Sequence, residues 1–559
     1  MDKTISGIQK VTSILLCIFA VVNLKFLFLD SSQITLHFED LFTQISAFAL
    51  ALSIILKIIV PVNLKSKLRF ATIDIAFIIV LFAIPGSNRV FQTYLISRQI
   101  INFSRYLLKL YDRGTLWQNL SNNPPVILLT SFLVAIVVGG LLLMLPIATV
   151  PGSRTSLIGA LFTSTSATCV TGLIVYDTAT HFTLFGQFVI LLLLQIGGLG
   201  IMTISSAFAV IMGQKMSIRK ESMMQSMVGG SNKLDMKNLV RSIIIATIVI
   251  EMIGAVILYF TFRQEFTSVH RAIYYSVFHS VSAFCNAGFS LFDNSLMNYR
   301  FSLNINFVIS ALIIIGGIGF PVLSDLRRNM FNKTGFKRLT LHSKIVLSTT
   351  LILIIVGIIG FFIAEYHNIM QGYTFSQRMF ASYFQSVTTR TAGFNTIDNG
   401  MLSKGSVMLS LLLMFIGASP GSTGGGVKTT AIAVIVVSVL AMFGKNRDVN
   451  IFNRRVAESI IKRVMALIAM AFILIFAMTF LLFLSDDFSF EQTLFEAISA
   501  FGTVGLSMGI TSQLSDIGQI IIISLMYLGR VGPLTLIFAI SETQEKSNFK
   551  FSEEKFSIG

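Results

Sequence analysis

Four short stretches of this 559-residue chain share a pattern that could handle an ion. They read SATCVTGLIV (166–175), SAFCNAGFSL (282–291), VTTRTAGFNT (387–396) and SAFGTVGLSM (499–508). Aligned on Gly172, Gly288, Gly393 and Gly505, each has a hydroxyl-rich approach, a central glycine and a hydrophobic residue after it. Glycine permits a left-handed backbone at little steric cost. Carbonyl oxygens aimed at one axis can then replace the hydration shell of an alkali cation. The residues proposed to line such a filter are Thr168, Cys169, Val170, Thr171 and Gly172 in the first stretch. Cys285, Asn286, Ala287 and Gly288 follow in the second, and Arg390, Thr391, Ala392 and Gly393 in the third. The fourth supplies Gly502, Thr503, Val504 and Gly505. The competing reading is that these glycines only let helices pack closely, as small-xxx-small motifs do. Four copies in register weigh against it.

The register extends into the flanks. A phenylalanine stands ten residues before the glycine in three copies (Phe162, Phe278, Phe495), with Ser-Ala at six and five before it. The third copy has Phe384 and Thr388 one residue closer, as if one residue were deleted. Each stretch lies between apolar runs, and the second carries a glycine cluster at Gly197, Gly316, Gly417 or Gly529. The repeating unit is therefore helix, short helix plus glycine loop, helix. Runs such as 158–167 and 491–501 are too short to cross ~30 Å of hydrocarbon, so they must dip in and return. Irregular backbone at membrane depth is tolerated where protein buries it or where it lines a path.

Composition agrees. The chain is 54% hydrophobic and 12% charged, and windows such as 126–148, 183–212, 303–323 and 345–364 read as transmembrane helices. No cleavable signal follows the first apolar stretch, Val11 to Leu29. The net charge of +16 is a matter of topology rather than of nucleic-acid binding. Connections 213–241, 325–344 and 444–463 each hold six Lys or Arg, whereas 147–181 holds only Arg154 and 484–491 none. That places the three basic connections in the cytoplasm of a multi-pass cell-membrane protein. The expected fold is an all-α polytopic membrane protein with four parallel repeats around one pore and an N-terminal helical extension. The divisions are 1–121 (extension), 122–212, 213–330, 331–443 and 444–541 (repeats one to four), and 542–559 (cytoplasmic tail). Three cysteines in apolar segments make neither a disulfide framework nor a metal site, and no acid, base and nucleophile set suggests an enzyme.

One segment departs from the repeat. GASPGSTGGGVKTT (417–430) interrupts the second helix of repeat three. Gly421, Gly426 and Lys428 nearly spell a phosphate loop, but Val427 separates glycine from lysine and no strand precedes. Pro420 and the glycines cannot sustain a helix, so an irregular mid-membrane loop is expected. In repeat four, Arg530 stands in register with Gly198, Gly317 and Ala418. A guanidinium there should face a pathway and oppose a cation; the alternative is an ion pair with a neighbouring helix. Glu251 reads as a packing or pairing residue, and Cys169 and Cys285 as apolar packing. Arg390 is expected to point behind its loop and bond carbonyls.

The chain from about Asn122 to Ile540 resembles the Trk/Ktr/HKT superfamily of potassium transporters, and the KtrB type most. The likeness rests on LLLMLPIAT, ALFTSTSATCVTGL, QIGGLGIMTISS, FHSVSAFCNAGF, QSVTTRTAGFNT and GASPGSTGGGVKTT. It implies a membrane homodimer with one pore per subunit and a cytoplasmic ring of nucleotide-binding regulatory subunits, KtrA/TrkA-like. It also implies potassium as the transported ion, with sodium as activator or co-ion. Four filter glycines go with potassium preference in that superfamily, and serine at the first with sodium transport. The loop of Gly417, Ser419, Pro420, Gly421, Gly424, Gly425, Gly426 and Lys428, with Arg530, becomes the intramembrane gate. Residues 1–121 have no counterpart in the minimal pattern. Their stretch 89–114, with Arg98, Arg105 and Lys109, is expected to cross the membrane, and Asp74 is a partner for it. It reads as part of a lateral packing domain or of a voltage-sensing module, whose regular arginine spacing it lacks. The functional alternatives are a sodium-permeable or sodium-coupled transporter of the same fold, and an alternating-access carrier. Carriers typically show inverted repeats, whereas these four loops all enter from outside.

Overall fold

The computed structural model describes residues 124–200, 236–329, 338–443 and 448–532. The N-terminal extension, including 89–114, and the 542–559 tail lie outside the described residues. The chain divides into two compact units. In the first, whose described parts are 137–164 and 176–190, Thr149 and Phe182 form an antiparallel bridge. Tyr176 stacks on His181, ring centroids 4.2 Å apart, and Thr155 Oγ1 lies 2.9 Å from His181 Nε2.

The second unit holds 165–175 and everything described from 191 onward, together with the start of the first helix. In chain order the helices are α1 (Pro124–Leu143), α2 (Leu157–Thr168), α3 (Thr178–His181), α4 (Leu184–Leu199), α5 (Met236–Glu265) and α6 (Val269–Phe284). Next come α7 (Leu303–Ile318), α8 (Phe320–Asn329), α9 (Leu341–Ala364), α10 (Phe375–Thr388), α11 (Lys404–Phe415) and α12 (Thr429–Phe443). A two-residue hairpin, β1 (Asn450–Ile451) with β2 (Arg454–Arg455), precedes α13 (Glu458–Ser485), α14 (Phe490–Gly502) and α15 (Asp516–Val531).

Each repeat supplies a short helix that ends at its glycine stretch: α2, α6, α10 and α14, of 12 to 16 residues. At ~1.5 Å per residue none spans the hydrocarbon. Their starts are set by sequence: Thr374 with Gln377, and Ser489 with Gln492, form capping boxes. The four phenylalanines Phe162, Phe278, Phe384 and Phe495 are fully buried and anchor these helices. Among described residues, α5, α9 and α13 are long and apolar enough to cross a membrane. Their outer faces carry exposed Val249, Ile352 and Phe476, as lipid contact requires. Within the unit, α5 packs on α6, α9 on α10 and α13 on α14, and α7 and α11 each reach the short helix of the next repeat.

The expected straight span over 303–323 is not what forms. The helix ends at Ile318, turns 97°, and resumes as α8. Gly319 makes the turn at φ +91°, against the carbonyl of Pro420. The glycine clusters of the second helices have a shared job. A β-carbon on Gly197, Gly316 or Gly529 would overlap the carbonyl of Thr168, Phe284 or Phe501, each the fourth residue before a loop glycine. Overpacking of this kind typically costs ~1–3 kcal/mol. Gly529→Ala should therefore lower the melting temperature of the purified protein, whereas Gly405→Ala, with its nearest neighbour atom 3.7 Å away, should not. An unchanged melt for Gly529→Ala would show that α15 can slide away from α14.

Candidate functional site

The four glycine stretches meet. A β-carbon on Gly172 would come within 3.0 Å of the Ala287 carbonyl oxygen, and one on Gly288 would do so at Ala392. The same holds for Gly393 at Val504 and for Gly505 at Thr171. Each glycine thus abuts the carbonyl that precedes the next glycine, and the fourth returns to the first. The result is a closed ring of four backbone segments. No side chain fits at any of its corners.

The backbone that builds the ring alternates. The glycines have φ of +95°, +70°, +79° and +91°, and the residues two before them are also left-handed: Val170 (58°), Asn286 (58°), Thr391 (64°) and Thr503 (50°). Three of these are β-branched, for which such a conformation is a true outlier. Strain of this kind costs on the order of 1–3 kcal/mol per residue and persists where the surroundings over-determine it. The short helices do so. The carbonyl of Ser166 accepts from Thr171 N at 2.7 Å, that of Ser282 from Ala287 N at 2.8 Å, and that of Ser499 from Val504 N at 2.9 Å. In repeat three the bond is Ala392 N to Thr388 O, 3.1 Å, one residue shorter. The offset read in the sequence is thus a tighter turn between helix and loop. Hydroxyls add a second tie: Ser166 and Ser499 accept from the N–H of Gly172 and Gly505, and Ser282 and Thr388 donate to the carbonyls of Phe289 and Phe394.

The electrostatics favour a cation. All four short helices enter the ring by their C-termini, and each helix C-terminus carries about half a negative charge. Thr168, Cys169, Val170, Thr171, Cys285, Asn286, Ala287, Thr391, Ala392, Thr503 and Val504 are all buried, and none is acidic. Gly502 packs on the Met414 carbonyl. Arg390 is buried too, but among the described residues the expected bonds to carbonyls are absent. Its Nη2 lies 3.4 Å from Thr350 Oγ1 on α9 and its Nε has no partner. Cys285 also differs from expectation. Its thiol does more than pack, since it donates to Gln195 Oε1 at 3.4 Å.

Residues 416–428 interrupt repeat three between α11 and α12, so a helix precedes the loop, not the strand that a phosphate loop needs. The loop closes on itself through Gly417 N to Val427 O, 2.9 Å, and Lys428 Nζ to Gly424 O, 2.8 Å. Ser419 N and Thr423 N donate to the carbonyls of Gly317 and Gly316, which α7 leaves unpaired at its end. Gly421 O accepts from Phe320 N at 3.0 Å, so the loop sits in the α7–α8 bend. Pro420, beside it, meets Gly319.

The loop also meets three left-handed residues of the ring. Thr423 Oγ1 bonds Asn286 Oδ1 at 3.3 Å, Gly424 packs on Thr391, and Gly425 N donates to Thr503 Oγ1 at 3.0 Å. Gly426 packs on Gly502. The fourth such residue, Val170, has no hydroxyl or amide to offer and lies against Gly197. Arg530 fills that quadrant. One of its Nη atoms donates to the Thr423 carbonyl and the other to the Gly197 carbonyl, bridging the loop to repeat one. Among described residues its bonds are to carbonyls, and no ion pair with a neighbouring helix forms. Thr423 was not singled out in the sequence. A threonine among loop glycines was the available signal.

A family model described as TrkH, cation transport protein, matches residues 96–550. The match begins before Asn122. Ktr system potassium uptake protein B of Bacillus subtilis is 41% identical over 438 residues, 78% of this chain and 97% of that protein. Potassium/sodium uptake protein NtpJ of Enterococcus hirae is 38% identical over 445 residues, 78% of this chain and 97% of that protein. The crystal structure of the potassium transporter TrkH from Vibrio parahaemolyticus superposes with a TM-score of 0.62 at 17% identity, covering 95% of this chain and 99% of that one. The likeness in fold is to a polytopic membrane protein built of helices, as the repeats require. The chain belongs to the TrkH family of cation transport proteins.

Proposed function

We propose that the chain takes up potassium across the cytoplasmic membrane through a channel-like pore, with the four glycine loops as its selectivity filter. The closed ring, in which each glycine abuts the next loop's carbonyl, is the observation that carries this reading. Relatives named for potassium uptake support it. The basic connections face the cytoplasm, the subunits pair as a homodimer, and a ring of nucleotide-binding subunits regulates them from below. The 416–428 loop is the gate and Arg530 its latch. A potassium ion passing ~5 Å from the guanidinium at an effective dielectric of ~20 meets about 3 kcal/mol of repulsion, roughly a hundredfold in rate. Arginine stays charged at any working pH, so the barrier lifts only by movement of the side chain or the loop. One relative is named for both potassium and sodium uptake, so sodium permeation is the second reading.

Flux of potassium, rubidium and sodium into proteoliposomes tests the assignment directly; equal rates for all three would overturn potassium selectivity. Gly172→Ser should raise sodium flux relative to potassium, because a side chain at φ +95° presses on the Ala287 carbonyl. An unchanged ion preference would remove Gly172 from the filter. Arg530→Gln, and separately a deletion within Gly421–Gly426, should raise maximal uptake in cells lacking other potassium systems while the ion preference stays put. Reduced velocity at normal membrane levels would make the loop and its arginine supports of the pore instead of obstacles in it.

A further inference from the structure

A buried acid stands beside the second filter loop without any part in the reading above. Glu251, midway along α5, is 7% exposed. Its Oε2 accepts from Gln195 Nε2 at 3.1 Å, and Gln195 Oε1 accepts from the Cys285 thiol at 3.4 Å. The thiol also lies 4.0 Å from Glu251 Oε1. Three elements thus close on one another: α5, the end of α4 and the end of α6. The Glu251 backbone is pinned as well, since Ser280 on α6 donates to its carbonyl at 2.6 Å.

The placement of these groups is specific. Cys285 is the first residue after α6 and stands three before Gly288. Gly198 packs directly on its sulfur. Gly197, beside it, carries the carbonyl that Arg530 takes and lies against the Thr168 carbonyl of the first loop. A carboxylate buried in a membrane helix is costly, and such residues are generally paired or functional. Here a neutral amide pairs it, and that amide's other end reaches the loop.

We infer that Glu251 and Gln195 are positioning residues for the second filter loop. They fix the Cys285–Gly288 segment against the end of α4 and so hold one side of the ring to the width that discriminates between alkali cations. The Gln195 amide is oriented only because both of its ends are engaged. Without the carboxylate it can rotate, and the thiol loses its acceptor. The inference rests on the filter reading.

The test is the ratio of rubidium to sodium flux in proteoliposomes of the full-length protein. Glu251→Leu and Cys285→Ala should each lower the ratio by about fivefold, the factor that one hydrogen bond's worth of differential stabilisation supplies. Glu251→Gln and Cys285→Ser keep an acceptor for Gln195 and a donor to it, and should restore the ratio to within about twofold. A purely structural role would lower the yield of folded protein and leave the ratio intact. Where Glu251→Leu does not fold, the smaller Cys285 pair reads the same link. Gly288→Ser separates the two readings. If it shifts the ratio while Glu251→Leu and Cys285→Ala do not, the positioning role is wrong and the filter stands. If none of the three shifts it, the filter assignment falls, and this inference with it.

Discussion

The ring depends on contact between glycine and the neighbouring loop's carbonyl, made four times over. That contact tolerates no β-carbon, so sequence freedom is lost at four positions at once. It also fixes how near the short helices approach, because each is hydrogen-bonded to its loop within five residues of the glycine. The buried phenylalanines and the glycines of the second helices follow from it. The first hold the short helices in the core, and the second let the second helix of each of three repeats come up against the end of its short helix without a clash at the Thr168, Phe284 or Phe501 carbonyl.

The loop beneath the ring obeys the same constraint in another way. It has no helical ladder of its own, so its N–H groups go to α7 carbonyls and to a threonine hydroxyl of the ring. Among the described residues its anchors come from repeats two, three and four, while repeat one is joined through Arg530. A loop so held is ordered without being regular.

Much of this was legible in the sequence because it is repeated. Gly172, Gly288, Gly393 and Gly505, the phenylalanine ten residues earlier, and the shortened third copy could all be read by aligning the chain with itself. What stands once was harder. The bend at Gly319 hid inside an apolar window that looks like one span, because the turn is set by contacts with Pro420 and Gly421, a hundred residues away. Arg390 offered a charge but no clue to Thr350, and Cys285 looked apolar until Gln195 stood opposite its thiol. Composition and periodicity report which face a residue is on. They do not report which single atom it meets.

Arg530 shows what a ring made from one chain allows. Four identical subunits around an axis would place four guanidiniums where this protein has one, and their mutual repulsion in a dry interior would prevent assembly. With the quarters joined covalently, three keep Gly198, Gly317 and Ala418 at the matching position. Broken symmetry is here a resource. A single charge can sit beside a nearly fourfold ring because the other three quarters need not copy it.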